Sequence, residues 1–309
     1  MVVIWNEFLW SKTQKHILNL PSGRLGYELH GQYVVFCAYP TLIDSNQFWE
    51  EFKQWLNEQN YVGCGYYLTE SEVDRFGLRH SESFTCRQVG VRRSFESKSF
   101  NLNGCEFEEV RRSLIKGEER GLSFKVFNNE EKKQNLSSIH GLYNEWKTTK
   151  GPLDLEFFIT PIVWGAHSES EKWVGVYKAQ ELVAFVSLIP TGAFSYYVDQ
   201  MIFSKSQAKW SMNYLFAKLI ETLPIGGSLD LGLCPLANIE SNYFLKKASF
   251  ATDYLPMSYN FQGLYEFKKK FSNKEEPCYA VLQKKHSLLK QYKAMLEVSV
   301  NRLRYLMSF

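Results

Sequence analysis

The order of elements in the sequence predicts an α+β fold, with a mixed, mainly antiparallel sheet in each of two tandem halves and helices flanking each sheet. Three observations carry this. Strand-like runs at 173–178, 182–189 and 194–203 are joined by connections as short as Ala179-Gln180-Glu181 and Pro190-Thr191-Gly192, which suit hairpins and so a meander. After the meander the pattern reads helix, strand, helix, strand. The first half shows a looser version of the same order.

Composition sets the outer bounds. A chain of 309 residues is long enough for two domains with a substantial core. With 45% hydrophobic and 16% aromatic residues it is a folding chain and not a disordered one. No run approaches the ~18 apolar residues of a membrane span. The start, MVVIWNEFLWSKTQK, lacks the basic opening and long apolar centre of an export signal. The expected location is therefore cytoplasmic, with the inner membrane surface as a peripheral site. Six cysteines (Cys37, Cys64, Cys86, Cys105, Cys234, Cys278) form no C-x-x-C pair and no Cys/His cluster, so reduced thiols and no metal are expected. Net charge is +3, but residues 260–309 hold eight Lys and two Arg against four Glu, a net of +6 that leaves the rest at −3. A basic end on a slightly acidic body points to an anionic partner there: tRNA, a phosphorylated cofactor or a lipid headgroup.

Taken in order, residues 33–39 (YVVFCAY) read as a buried strand ended by Pro40. Phe48, Phe52, Trp55 and Leu56 have helical spacing behind Ser45 as N-cap. Strands follow at 62–68 and 84–91. Residues 102–121 predict a charged helix with Phe107, Val110 and Leu114 inward and Arg111, Arg112, Lys116 and Arg120 outward, stopped by Gly121. A short strand spans 124–127. The polar stretch 128–135 reads as the seam between domains at 1–130 and 131–309. Ile139, Leu142, Tyr143 and Trp146 mark a helix broken by Gly151-Pro152. The meander comes next, then a helix over 207–223, with Met212, Leu215, Phe216, Leu219 and Ile220 on one face, and a strand at 228–233.

The stretch 259–279 (YNFQGLYEFKKKFSNKEEPCY) concentrates the candidate chemistry. Leu264, Phe267 and Phe271 mark the buried face of a helix. Lys269 points away from that face, whereas Lys268 and Lys270 lie on opposite flanks, where their stems can cover apolar surface and deliver an ammonium into a cleft. The plainer alternative is a solvated charge run. A strand at 279–283 and an amphipathic helix at 284–306 complete the chain. That last helix is expected to pack on the body, with membrane-surface docking or tRNA contact as the other uses of its lysines.

Several landmarks, in order, make residues 25–285 resemble the catalytic region of phosphatidylglycerol lysyltransferases, the lysylphosphatidylglycerol synthases. They are VRRSFESKSFNLNGCEFEEVRRSLIKGEERGL (91–122), ELVAFVSLIP (181–190), YYVDQMIF (196–203), SMNYLFAKLIE (211–221), LDLGLCPLANI (229–239) and the 259–279 stretch. The resemblance implies two tandem GNAT-like domains and transfer of an aminoacyl group from charged tRNA to a hydroxyl or amine acceptor, either an anionic lipid or a soluble molecule. No DNA and no cofactor are implied, aminoacyl-tRNA being a co-substrate. An aminoacyl ester is already activated, so the site needs mainly positioning and positive charge near the developing oxyanion. The implied catalytic residues are Lys268, Lys270 and Asp199, the last orienting the amine or polarising the acceptor; the alternative for Asp199 is an ordinary strand-end carboxylate. Tyr259, Asn213, Lys205, Lys209 and Arg111 are the substrate-binding candidates, with a solvated helix face as the plainer reading for Arg111 and a buried, hydrogen-bonded ring for Tyr259.

The chain departs from the family pattern where it has Ile202 in place of Arg, Asn213 in place of Asp and Cys278 in place of Arg, and where an Arg is missing near Tyr265. The transferred amino acid and the acceptor therefore stay open. A CoA-dependent N-acyltransferase is the second reading, although the turn SKSQAKWS (204–211) has no glycine to cradle a pyrophosphate. A third is a non-catalytic module that binds tRNA or an anionic membrane.

Overall fold

The computed structural model describes residues 16–37, 40–98, 102, 104–148, 169–204, 210–239 and 260–306. In chain order the elements are β1 (His16–Leu20), β2 (Gly23–His30), β3 (Tyr33–Cys37), β4 (Thr41–Leu42), α1 (Ser45–Glu58), β5 (Val62–Thr69), α2 (Glu70–Arg75), β6 (Phe84–Glu96), α3 (Glu108–Glu119), β7 (Leu122–Phe127) and α4 (Asn129–Thr148). They continue with β8 (Lys172–Lys178), β9 (Glu181–Pro190), β10 (Ser195–Phe203), α5 (Ser211–Thr222), β11 (Ser228–Pro235), α6 (Phe261–Lys270), β12 (Lys274–Gln283) and α7 (Leu288–Leu306). The α+β class is as expected, a mixed sheet with helices on its faces.

Pairing runs without a break through both halves, in the order β1-β2-β3-β5-β12-β6-β11-β10-β9-β8-β7, with β4 beside β2. Three crossings make this continuity. β6 pairs antiparallel with β11 from Gly90↔Pro235 to Glu96↔Ser228. β12 returns to lie between β5 and β6, antiparallel to both. β7 pairs with β8 from Leu122↔Lys178 to Phe127↔Trp173, so strands on either side of residue 130 are neighbours. The meander forms as expected; its β8–β9 turn uses Ala179 (φ 48°) and Gln180 (φ 69°), the two positive dihedrals of a type I′ hairpin.

Local capping decides several boundaries. Asp44, and not Ser45, caps α1: its carboxylate accepts the Gln47 N–H at 3.2 Å. The polar stretch expected as a seam is the start of α4. Asn128 Oδ1 accepts Glu131 N–H at 2.9 Å while Glu131 Oε2 accepts Asn128 N–H at 3.0 Å, a reciprocal capping box. β6 and β12 run five residues beyond the expected strands, and β1 and β2 form a hairpin where no elements were expected.

Four apolar layers fix the helices. α1 lays Phe48, Trp49, Phe52 and Leu56 against Phe36, Phe84 and Val281. α5 and α6 cover one face of the second half, where Phe216, Phe267 and Phe271 pack ring to ring. α3 approaches α5 so closely that a Cβ on Gly117 would lie 2.0 Å from the Tyr214 ring. On α4, Ile139, Leu142 and Trp146 pack with Trp173, Phe185 and Ile202. The terminal helix packs on the body as expected, but through Gln291, Ala294 and Met295, whereas Leu288 stays exposed. Gln291 also bonds the end of β12, accepting Gln283 N–H at 2.8 Å and donating to its carbonyl at 3.0 Å.

Candidate active site

The site begins with a fork in the sheet. β10 and β11 are parallel neighbours over only three residue pairs, ending at Tyr197↔Asp230. Beyond that point β10 follows β9 and β11 follows β6. Each arm has a register break just past the fork: between Val198 and Gln200 on β10, which leaves Asp199 as the extra residue, and between Asp230 and Gly232 on β11. The bulges interrupt alternation, so Tyr197, Val198, Asp199 and Gln200 are all buried in succession. Two carboxylates thus enter the sheet where its strands part.

Asp230 is held from three sides. Its Oδ1 accepts the Gly232 N–H at 2.9 Å. Its Oδ2 receives Arg92 Nη2 at 2.9 Å and the Tyr67 hydroxyl at 3.5 Å. Gly232 takes φ +78°, a conformation that only glycine adopts at low cost; its missing Cβ would sit 3.4 Å from Tyr197 Oη and 3.6 Å from Lys268 Nζ. Those distances place the tyrosine hydroxyl and the lysine ammonium beside the same bulge. Tyr67 has φ +73° in the middle of β5, a rare conformation for an aromatic residue and the kind of strain that gathers at functional sites. Its ring meets Tyr197 edge to face, with centroids 6.3 Å apart.

Burial sets the protonation of this cluster. Desolvation, and then the charge of Asp230, hold both Tyr67 and Tyr197 well above the ordinary phenol value, with Asp199 adding to the effect on Tyr197. Both phenols therefore remain hydrogen-bond donors. Lys268 is 5% exposed and donates from Nζ to the Leu233 carbonyl at 2.9 Å. Burial lowers its pKa, against the opposing pull of Cys234, Asp230 and Cys278. Burial is the largest single influence on Arg92 and disfavours its charge, but Asp230, Tyr67, Glu72 and Cys278 together outweigh it and the guanidinium is held above its ordinary value.

A second network presents Lys268 to the fork. The Tyr265 hydroxyl donates to Glu275 at 3.2 Å, and Asn238 Nδ2 bonds Glu275 at 2.8 Å and the Tyr265 hydroxyl at 3.0 Å. Arg93 pairs with Glu275, bonds Ser272 Oγ at 2.8 Å and lies over the Tyr265 ring. At its other end α6 is capped by Asn260, whose Oδ1 accepts Gly263 N–H at 2.7 Å. The C-terminal half of the helix and the residue pair after it are tied to β6, β11 and β12.

Of the residues expected from sequence, the structure gathers two at the fork. Asp199 lies buried on the β10 arm, its Oδ2 accepting from Ser187 Oγ at 3.4 Å, and Lys268 lies on the β11 side. Lys270 is exposed, on the other flank of α6. Arg111 bonds the carbonyls of Leu102 and Gly104, fixing the loop that precedes α3. Asn213 is half-buried in the first turn of α5. Tyr259, Lys205 and Lys209 lie outside the described residues. Sequence reasoning missed Asp230, Arg92, Tyr67 and Tyr197; the signal for Asp230 was a lone acid inside the apolar strand SLDLGLCP. Among the described residues no group of three or more His, Cys, Asp or Glu is placed to hold a metal. The arrangement offers the Lys268 ammonium and the Tyr197 phenol to a developing negative charge, and a carboxylate to an acceptor proton.

With this geometry in view, comparison with known proteins is informative. A family model described as phosphatidylglycerol lysyltransferase, C-terminal, matches residues 6–282. A phosphatidylglycerol lysyltransferase from Staphylococcus xylosus is 24% identical over 278 residues, which are 85% of this chain and 32% of that protein; the chain thus spans about a third of the relative's length. Among solved structures, the C-terminal domain of a protein described as a lysylphosphatidylglycerol synthetase from Agrobacterium fabrum aligns with a TM-score of 0.74 at 18% identity, covering 96% of this chain and 91% of the other. L-PGS from Bacillus licheniformis aligns at 0.70 and 18%, covering 96% and 90%. At such identity these structures establish a common fold.

Proposed function

The chain belongs to the phosphatidylglycerol lysyltransferase C-terminal family, and from that premise we propose that it is an aminoacyltransferase that takes its acyl group from a charged tRNA, with the β10–β11 fork as its site. The acceptor is a hydroxyl or amine, with an anionic lipid as the first choice and a soluble molecule as the second. In this reading the acceptor's oxygen or nitrogen attacks the ester carbonyl as its proton passes to Asp199. The carbonyl-to-ribose bond then breaks, and the proton is returned to the departing ribose oxygen, so no further reactant is needed. Lys268 and the Tyr197 hydroxyl stabilise the oxyanion, while Arg92 and Asp230 hold the bulge that presents them. The observation that carries the proposal is that Lys268 and Tyr197 meet at the Gly232 bulge, with one carboxylate on each arm of the fork.

Two of the departures from the family pattern bear on the substrate. Ile202 is fully buried in the apolar layer under α4, and Cys278 is fully buried beside the Arg92–Asp230 pair, so neither position has room for a solvated arginine. The amino acid transferred is accordingly not assumed to be lysine. The test is incubation of the purified chain with a panel of charged tRNAs, with phosphatidylglycerol vesicles or a soluble amine acceptor, following ester loss and product by mass spectrometry. Turnover of at least one ester, lost in Asp199→Ala, is expected; survival of every ester overturns the proposal.

A second reading, CoA-dependent N-acyl transfer, is favoured by Ser211. Its hydroxyl is fully buried at the N-terminus of α5 and has no hydrogen-bond partner among the described residues, a position suited to a phosphate. It predicts a rise in melting temperature with acetyl- or acyl-CoA, and no shift with any CoA ester removes it.

A further inference from the structure

The turn between β12 and α7 carries a feature that the fork does not use. Residues 284–290, KKHSLLK, are exposed without interruption. Leu289 is 64% exposed and Leu288 38%, because α7 turns Gln291, Ala294 and Met295 toward the body and leaves its first turn outside. Lys284, Lys285, Lys290 and Lys293 surround the leucines, and no Asp or Glu occurs between Glu276 and Glu297. Lys284 bonds the Ser81 carbonyl at 2.7 Å, which fastens the turn to the start of β6; Glu82 is the acid on that neighbouring turn, and Arg79 and His80 precede it. Lys293 and His30 both meet Glu297, so that carboxylate is already engaged by the body. Among the described residues Lys285 and Lys290 are in no ion pair.

We infer that this turn docks the protein on an anionic lipid bilayer, with Leu288 and Leu289 entering the headgroup boundary and Lys284, Lys285 and Lys290 facing lipid phosphates. The pairing of charge with exposed leucine selects the partner. An RNA backbone would engage the lysines but leave both leucines in water, whereas a bilayer accommodates both. From Cys278, beside the fork, to Lys284 the chain advances six strand residues, about 20 Å, so the turn is a separate surface on the same strand. Docking requires no transfer chemistry and stands independently of the reaction proposed for the fork.

The test is co-sedimentation of the whole chain, without tRNA, with vesicles of phosphatidylcholine alone or mixed equally with phosphatidic acid, an anionic lipid with neither the hydroxyl nor the amine of the candidate acceptor. Binding to the mixed vesicles only is expected, weakened by salt. Leu288→Ser/Leu289→Ser and Lys285→Glu/Lys290→Glu should each lower the partition coefficient by about tenfold or more. Thermal melts of these surface variants should match the parent, and Lys268→Met, which alters the fork, should bind normally. Absence of binding by the parent, or full binding by the double serine variant, overturns the inference. So does loss of tRNA or protein binding in that variant with vesicle binding intact.

Discussion

Arg92 and Asp230 form an ion pair at 2.9 Å that runs diagonally across the β6–β11 bulge, since Asp230 is registered opposite Ser94 and Arg92 opposite Leu233. The pair ties the β11 arm of the fork, whose Leu233 carbonyl holds Lys268, to the middle of the sheet. Asp230→Ala leaves an unpaired guanidinium that keeps 30% of its side chain exposed, so the cost falls below that of a fully buried orphan charge, at about 2–3 kcal/mol. Urea denaturation should show this loss. The Arg92→Leu/Asp230→Leu double variant should recover part of it, because no charge is then left unpaired. Equal stability of Asp230→Ala and the parent would show that the pair contributes nothing.

Lys268 and Lys270 are two residues apart in sequence, and only Lys268 enters the site. Lys268→Met should reduce aminoacyl turnover by about 100-fold or more, as expected for loss of an oxyanion-stabilising donor, while Lys270→Met should leave it within about twofold. Steady-state rates with the tRNA that the parent accepts provide the measurement. Equal losses in both variants would mean that α6 contributes diffuse charge and no positioned group.

What the sequence revealed, and what it hid, follows from the range of each interaction. The meander was legible because its strands are apolar runs separated by connections of two and four residues, all local signals. Helical periodicity placed Lys268 and Lys270 on opposite flanks of α6 but contained nothing about which flank faces β11. The β1–β2 hairpin was not visible because HILNL and GRLGYELH mix polar and apolar residues without clean alternation. Asp230 stood out only as an acid in an apolar strand. Its partners Arg92 and Tyr67 come from strands far earlier in the chain, and such pairing has no local signature. The polar stretch expected as a seam coincides with the start of the helix at Asn129, because Asn serves both loops and helix caps, and only the hydrogen bonds distinguish the two uses.

Gly232 links backbone geometry to chemistry. At φ +78°, alanine is strained by about 1–2 kcal/mol, and its methyl would lie against Tyr197 Oη and Lys268 Nζ. Gly232→Ala should therefore lower turnover more than its modest loss of stability accounts for, whereas Gly31→Ala, at φ +57° in an open turn, should cost stability alone. Melting temperature and turnover measured side by side separate these outcomes. Unchanged turnover in Gly232→Ala would remove the bulge from the site.

The buried ammonium of Lys268 also fixes the sign of a pH effect. Its native pKa is lowered by burial below the ordinary 10.5, so between the two values the unfolded state binds the extra proton. Stability then rises with pH across that window as the cost of burying the charge is relieved, and below the native pKa the cost is present in full. Lys268→Met has no proton to lose. Comparing the two proteins by urea denaturation from neutral to alkaline pH, the parent should gain on the variant as pH rises toward 10.5. The comparison cancels tyrosines and other lysines, which titrate in both proteins. A parent that loses ground over this range would show that Lys268 is stabilised in its charged form by Asp230 and the Leu233 carbonyl more than burial penalises it.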